Sequence, residues 1–516
     1  MRRQSFKPDA SFFEKIAIGA IGAKAVQENL QQHGHDLREL ERGATDTKLW
    51  KEVKRKRVRI PDLVCLKCGR RFESRAKTDN KLAMSHSPSE AERSWDYGMV
   101  DDDVIAFPVC MADDKQYEST GRLSDSISYW RERNWQKWDV QGYINYFTVR
   151  SFRATPADDT SIKGVTEGAE TSLLWSAIFA SNAGVVESIQ GAGIRIRFDS
   201  GKCYTWQNKS NLPIAVQEGQ RVQSGQVIAS RVEPLSSQIP DCPNDLSTKE
   251  IMRLLESHER TLRFTGIKLA RLRLEQDHSS KIEGLAEDPD EDMYIRMEAS
   301  SYLSTVCQWP VRDLFAPYLR HAEPQIQLEA VITLAEVPTE EAVEIMSELL
   351  ESQDSPFFLR SAAAWSLSRI GGLTAVQRLL GAFADVEYSI REEALVGVTS
   401  IGNTALPHLL DGLVGKNAEI AAGCAEALRE QGSLPDEIIS QLAKDVCNVT
   451  HHPWITWLLG NLPRDRVIPL IAEYQESRPE LHYALSVLWA FTESWIAQQW
   501  ELQTPGTFPL GRHIHD

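Results

Sequence analysis

The chain has 516 residues, 42% hydrophobic and 25% charged, an ordinary globular composition with room for roughly three or four domains. No apolar run reaches the roughly 18 residues that cross a bilayer, and eight scattered cysteines do not make a disulfide framework, so the expectation is a cytoplasmic protein rather than a membrane or secreted one. A net charge of -16 excludes a wholesale nucleic-acid coat, but residues 1–80 hold 19 Lys+Arg against 11 Asp+Glu, so the N-terminal part alone suits a polyanion.

In chain order, residues 12–33 predict one helix, with Phe13, Ile16, Ala17, Ala20, Ile21, Ala25 and Leu30 spaced as an apolar face, Glu28 on the same helix and Gly34 as the stop. The basic segment KLWKEVKRKRVR follows, where Lys54, Arg55, Lys56, Arg57 and Arg59 are placed to meet phosphates. Next, VRIPDLV and RRFESRAK both alternate as strands, and the intervening CLKCG supplies a hairpin turn. DDDVIAFPVC and GYINYFTVRSF read as further strands. Helix, strand, strand, strand is the order of a mixed sheet flanked by helices, assigned here to residues 1–160.

Alternation sets Glu73, Arg75 and Lys77 on one face of their strand. Folding the hairpin at CLKCG brings Asp62 beside Glu73, and two carboxylates so placed hold Mg²⁺ or Mn²⁺, which polarises a phosphodiester and activates a water. A neighbouring cation then stabilises the developing charge. This pattern resembles the PD-(D/E)xK restriction-nuclease superfamily, and most nearly the methyl-directed restriction enzymes that carry a CxxC inside the motif hairpin. Pro61-Asp62 matches the first element and Glu73 the second, while Arg75 stands where the family has Lys and Lys77 lies one step further along the face. The resemblance implies a restriction-endonuclease-like fold, DNA as substrate, and Asp62 and Glu73 as metal ligands with Arg75 or Lys77 as the cation. It also implies a supporting role for Glu28 on the opening helix. Arginine supplies charge but no base, so the departure at Arg75 bears on activity.

Cys65 and Cys68 form a separate motif. CLKCG followed by an aromatic reads as half of a zinc knuckle, which needs two more ligands, for which His86 and Cys110 are the candidates; the alternative is a pair of turn cysteines without metal. Further on, YWRERNWQKWDVQGY places Trp130, Trp135, Trp138 and Tyr143 among cations, a pattern that serves either base stacking or a helix with its tryptophans in the core.

Residues 172–235 contain short Gly-punctuated β segments and predict a small all-β barrel or sandwich. EGQRVQSGQVIA resembles the β core shared by lysostaphin-like metallopeptidases and biotinyl/lipoyl domains. The peptidase's zinc ligands are replaced by Thr-Trp-Gln-Asn at 205–208 and no carrier lysine follows Ala229, so the resemblance implies a fold without that chemistry. A linker and helix occupy 236–284. From 285 to 500 a repeat appears, opening at Ile295-Arg296, Ile326-Gln327, Leu359-Arg360, Ile390-Arg391 and Ile420-Ala421, at intervals of 31, 33, 31 and 30 residues. That period marks an α-solenoid. LRSAAAWSLSRIGG and IREEALVGVTSIGN resemble short HEAT-like repeats. His451-His452 and the terminal HIHD match no metal spacing and read as solvated polar residues.

The expected protein is therefore multidomain: an α/β nuclease-like N-terminal domain, a small all-β module and a C-terminal α-solenoid of HEAT-like repeats. Its expected function is Mg-dependent DNA cleavage with a solenoid recognition domain, an arrangement like bacterial genome defence, acting as a homodimer where both strands are cut. The alternative is a non-catalytic HEAT-repeat scaffold that binds protein or nucleic acid and carries a decayed nuclease or zinc-knuckle domain.

Overall fold

A computed structural model describes residues 10–45, 58–87, 91–112, 138–163, 170–235, 241–431, 434–448, 453–472 and 476–492. They belong to two compact units, Met1–Pro310 and Val311–Asp516. Among the described residues no helix is long and apolar enough to cross a membrane.

In the first unit, helix α1 (Ala10–Gln31) ends where Gly34, at φ +86°, turns the chain and His35 N–H reaches back to the Leu30 carbonyl at 3.2 Å. The strands that follow are β1 (Leu37–Glu39), β2 (Leu63–Cys65), β3 (Arg71–Ser74), β4 (Leu82–His86), β5 (Val104–Phe107), β6 (Cys110–Ala112), β7 (Trp138–Val140) and β8 (Asn145–Thr148). The main sheet has the order β1-β2-β3-β5-β8, antiparallel except where β3 and β5 run parallel, so the mixed sheet expected from the sequence is present. A parallel neighbour needs a crossover, and residues 75–103 supply it.

Register decides which face each side chain takes. Leu63 lies opposite Phe72, and Phe72 beside Val104. These three join Leu37, Cys65, Ala106 and Tyr146 in a layer closed by Val26 and Leu30 of α1. The other face presents Ile105, Phe107 and Phe147 to Leu82, Met84, Trp95, Phe152 and Trp175. Helix and sheet touch closely at Gly22, where an added Cβ would stand 2.6 Å from Ala76 Cβ.

Two details differ from the sequence expectation. GYINYFTVRSF is a strand only to Thr148; there the Thr148 side chain accepts from Ser151 N–H at 3.1 Å and starts helix α2 (Val149–Arg153). The segment KLAMSH, not read as a strand, forms β4. It pairs with β10 (Glu170–Trp175), itself paired with β9 (Asp159–Lys163), so part of the segment assigned to the all-β module completes the second face of the N-terminal core.

The β module proper comprises β11 (Ala177–Phe179), β12 (Gly184–Gln190), β13 (Gly193–Phe198), β14 (Cys203–Gln207), β15 (Arg221–Val222) and β16 (Val227–Ser230). Four of these form a sheet in the order β14-β13-β12-β15, and β11 pairs with β16. Val186, Ile194, Ile196, Val222, Ile228 and Ala229 fill its core.

Helices follow: α3 (Thr248–Leu255), α4 (Arg260–Leu272), α5 (Ser279–Glu287) and α6 (Met293–Val306) close the first unit. The second unit contains α7 (Val311–Leu319), α8 (Pro324–Leu334), α9 (Glu340–Glu351), α10 (Phe357–Ile370), α11 (Gly372–Gly381), α12 (Tyr388–Ile401), α13 (Leu406–Leu413), α14 (Ala418–Glu430), α15 (Asp436–Asn448), α16 (Pro453–Leu459), α17 (Arg464–Ile471) and α18 (Pro479–Thr492). Every repeat opening read from the sequence falls in the first turn of a helix: Ile295, Ile326, Leu359, Ile390 and Ile420 begin α6, α8, α10, α12 and α14. Within the second unit α10 packs on α8 and on α12, and α12 on α14, as solenoid repeats do.

Candidate metal centre and the carboxylate pair

Four side chains from three distant segments converge at the β2–β3 hairpin: His35, Cys65, Cys68 and Cys242, whose ligand atoms all lie within 4.8 Å of one another. Cys65 Sγ and Cys242 Sγ are 3.8 Å apart, and Cys68 Sγ stands 3.7 Å from His35 Nδ1. An ion bound tetrahedrally with metal–sulfur bonds of about 2.3 Å and a metal–nitrogen bond of about 2.0 Å spaces its ligands about 3.5–3.8 Å apart. Local backbone builds this spacing. Gly69, at φ +70°, lets the hairpin turn so that its N–H bonds the Cys65 carbonyl at 2.8 Å, and Cys65 N–H bonds the Arg70 carbonyl at 2.9 Å.

His35 and Cys242 are held as firmly. His35 packs edge-on against Phe72 with ring centroids 5.3 Å apart, and Leu66 N–H bonds the Asp36 carbonyl at 2.8 Å. Cys242 N–H reaches the His33 carbonyl at 3.3 Å, and Leu246 N–H bonds the Lys67 carbonyl at 2.9 Å. The Cys68 thiol, hydrogen-bonded to Cys65, holds Cys65 well below the ordinary thiol range; the same contact and burial push Cys68 up, and burial raises Cys242. The backbones of Lys67 and Cys68 also pull the Cys65 thiol down, as those of Arg70 and Asn244 do for Cys68 and Cys242. Asn244 takes a left-handed turn, at φ +56°.

The knuckle cysteines thus have partners, but not the expected ones. His86 ends β4 in the second sheet, with Ser94 Oγ 3.3 Å from its Nδ1, and Cys110 Sγ is buried against the Ile18 carbonyl at 3.7 Å. One cue could have pointed to His35: the run His-Gly-His-Asp lies between helix and strand.

The hairpin also brings Asp62 to Glu73. Carrying the Leu63–Phe72 register one residue further sets them opposite each other, and Asp62 Oδ2 accepts from Ser74 N–H at 2.8 Å. Glu73 Oε1 is 3.0 Å from Arg75 Nη2, which also donates to the Trp95 carbonyl at 2.9 Å. The Glu73 side chain is 12% exposed. Burial pushes its carboxyl above the ordinary range, with Arg75 and Arg59 pulling the other way. Among the described residues no third His, Cys, Asp or Glu joins this pair in a ligand cluster.

The remaining site residues are spread out. Glu28 is exposed on α1, which covers the Phe72 face of the sheet, whereas Glu73 lies on the other face, so the structure does not bring Glu28 to the pair. Lys77 lies beyond β3, its backbone N–H bonded to the Pro108 carbonyl at 3.0 Å. Arg59 donates to the Glu92 carbonyl. Lys54, Arg55, Lys56 and Arg57, with Trp130, Trp135 and His451-His452, lie outside the described residues. Trp138 sits in strand β7 against Ile18 and Ile21 rather than in a helix.

Sequence reasoning missed a buried polar seam between the sheet and the first helices. Arg71 pairs with Asp103 through two bonds of 2.7 and 2.6 Å and donates to the Thr261 carbonyl and Thr265 Oγ1, both at 3.3 Å. Glu298 receives Arg42 on one oxygen and Arg271 on the other, the latter at 2.9 Å. The repeat motif also explains itself here. The arginine that opens a repeat clamps carbonyls preceding its helix: Arg296 to Ala286, Arg360 to Leu350 and Arg391 to Asp385. Arg263 does the same to Ser257, so the pattern starts in α4, inside the region read as linker and helix.

Residues 311–399 match the HEAT repeats family. The solved structures similar to this chain include YibA of Escherichia coli, 16% identical with a TM-score of 0.25, where the match covers 48% of this chain and 92% of that one. They include the CpcE–CpcF complex of phycocyanin lyase from Nostoc sp. PCC7120 (14% identity, TM-score 0.24, 47% of this chain and 99% of that one). Human deoxyhypusine hydroxylase is a third, at 15% identity and TM-score 0.18, covering 48% and 85%. No curated protein matches the chain.

Proposed function

We propose that the protein is a recognition scaffold whose HEAT repeats bind a partner protein with a basic surface, and whose nuclease-like sheet is structural. HEAT repeats stack helices into extended binding surfaces, and chemistry must be argued from a site rather than from the fold. Charge supports a basic partner. Residues 311–516 hold 13 Lys+Arg against 28 Asp+Glu, so nearly all of the chain's net -16 belongs to the second unit, which repels DNA phosphates. The observation that carries the non-catalytic part is the Glu73–Arg75 ion pair. A divalent cation on Asp62 and Glu73 competes for the Glu73 carboxylate with a guanidinium that is itself fixed to the Trp95 carbonyl.

A second reading rests on a separate observation. The β2–β3 register places Asp62 beside Glu73 with Arg75 on the same face, the arrangement that the restriction-nuclease resemblance implies, and a Mg²⁺ taken up there serves DNA cleavage. Plasmid nicking in Mg²⁺ and then Mn²⁺, beside Glu73→Ala, decides between the two. No cleavage by wild type, together with no gel shift of DNA at low salt, is the expected result. Cleavage by wild type that Glu73→Ala abolishes overturns the scaffold reading.

A further inference from the structure

We infer that His35, Cys65, Cys68 and Cys242 form a structural Cys₃His zinc site that fastens the segment leading into the helices onto the β2–β3 hairpin. Three sulfurs and one imidazole are soft-to-borderline donors that favour zinc and disfavour Mg²⁺ and Ca²⁺, which take oxygen ligands. The mutual spacing, with all four ligand atoms inside 4.8 Å, fits one ion at the centre of a tetrahedron. It leaves no open coordination position, which is the mark of a structural rather than a catalytic site.

One further observation points the same way and owes nothing to the ligand distances. The flanking chain is laced to the knuckle from both sides: Lys67 Nζ donates to the Gly34 carbonyl at 2.7 Å, and Arg273 Nη1 to the Leu66 carbonyl at 2.8 Å. The cysteines left out are Cys110, Cys203, Cys307, Cys424 and Cys447.

The test is metal analysis of the full chain purified under reducing conditions without added metal or chelator. One zinc per chain is expected, and Co²⁺ exchanged into the protein should give the intense visible bands of a tetrahedral thiolate site. Cys242→Ser and His35→Ala should fall to near zero, while Cys203→Ser keeps one zinc. His35→Cys, which restores a fourth donor, should retain zinc and so separates loss of a ligand from failure to fold. Glu73→Ala should also keep its zinc, which makes this outcome independent of the proposed function. Folded wild type without zinc, or Cys242→Ser with wild-type zinc, overturns the site.

Discussion

Replacing Glu298 with Ala tests whether the sheet and the first helices are held together by a paired charge. The carboxylate is fully buried, and its two partners, Arg42 and Arg271, are 6% and 2% exposed. Truncation removes the counter-charge that two guanidiniums share in a low-dielectric site. Breaking a buried pair in this way costs about 3–5 kcal/mol, a large part of the roughly 5–15 kcal/mol that holds a domain folded. A chain with several cores does not melt in one transition, so hydrogen exchange resolved to peptides from 260–272 and 293–306 is the proper readout. At about 1.4 kcal/mol per decade, protection there should fall on the order of 10²- to 10³-fold. Glu298→Gln, which keeps an acceptor and loses the charge, should fall less. The triple variant Arg42→Met, Glu298→Leu, Arg271→Met should recover most of the loss, because an apolar replacement of a buried ion cluster is often neutral. Unchanged exchange in Glu298→Ala, or a triple variant no better than the single, refutes the reasoning.

Two other outcomes are expected. Gly423→Ala in α14 sets a Cβ 2.3 Å from Phe383 Cγ, and the overpacking, about 1–3 kcal/mol, should outweigh the helix-propensity gain of about 1 kcal/mol; a thermal shift of the second unit measures it, and a stabilised variant would refute the close packing. Arg312 and Glu348 form a two-bond pair on the surface, at 2.9 and 2.8 Å, and the hydrogen bonds from Arg312 hold the Glu348 carboxyl below its ordinary range. A lowered carboxyl contributes stability above its unfolded pKa and loses it as pH falls, so Glu348→Gln should cost under about 1 kcal/mol at pH 7 and nothing in acid or high salt, as denaturation at two pH values will check.

What the sequence made legible follows from the range of the interactions involved. Helix α1, the β2–β3 hairpin and the repeat openings depend on periods of two, 3.6 and about 31 residues, and each appears in the structure. The facing of Asp62 and Glu73 was readable because a hairpin register is local. The full ligand set of the proposed zinc site is not legible, since Cys242 lies far along the chain and no spacing rule links it to Cys65; His86 and Cys110, the candidates the sequence offers, lie elsewhere in the fold. The start of the repeats at Arg263 was hidden for another reason: α4 lacks the alanine-rich run of the later units, and only its clamp on the Ser257 carbonyl identifies it.

The long-range polar contacts have one location in common. Cys242 reaches Cys65 across 177 residues, Thr261 reaches Arg71 across 190, and Glu298 reaches Arg42 across 256. Each joins the N-terminal sheet to the chain entering or forming the first helices. Buried polar pairs contribute little net stability against an apolar alternative, but each is expensive to satisfy in any other arrangement, so together they define a single position. Helices α4 and α6 share the arginine clamp of the later repeats while belonging, with α5, to the sheet's unit, which extends to Pro310. The faces those helices bury against Arg71 and Arg42 are committed to the fold. The proposed partner surface lies in the repeats from Val311 onward, where the family match and the excess of acidic residues coincide.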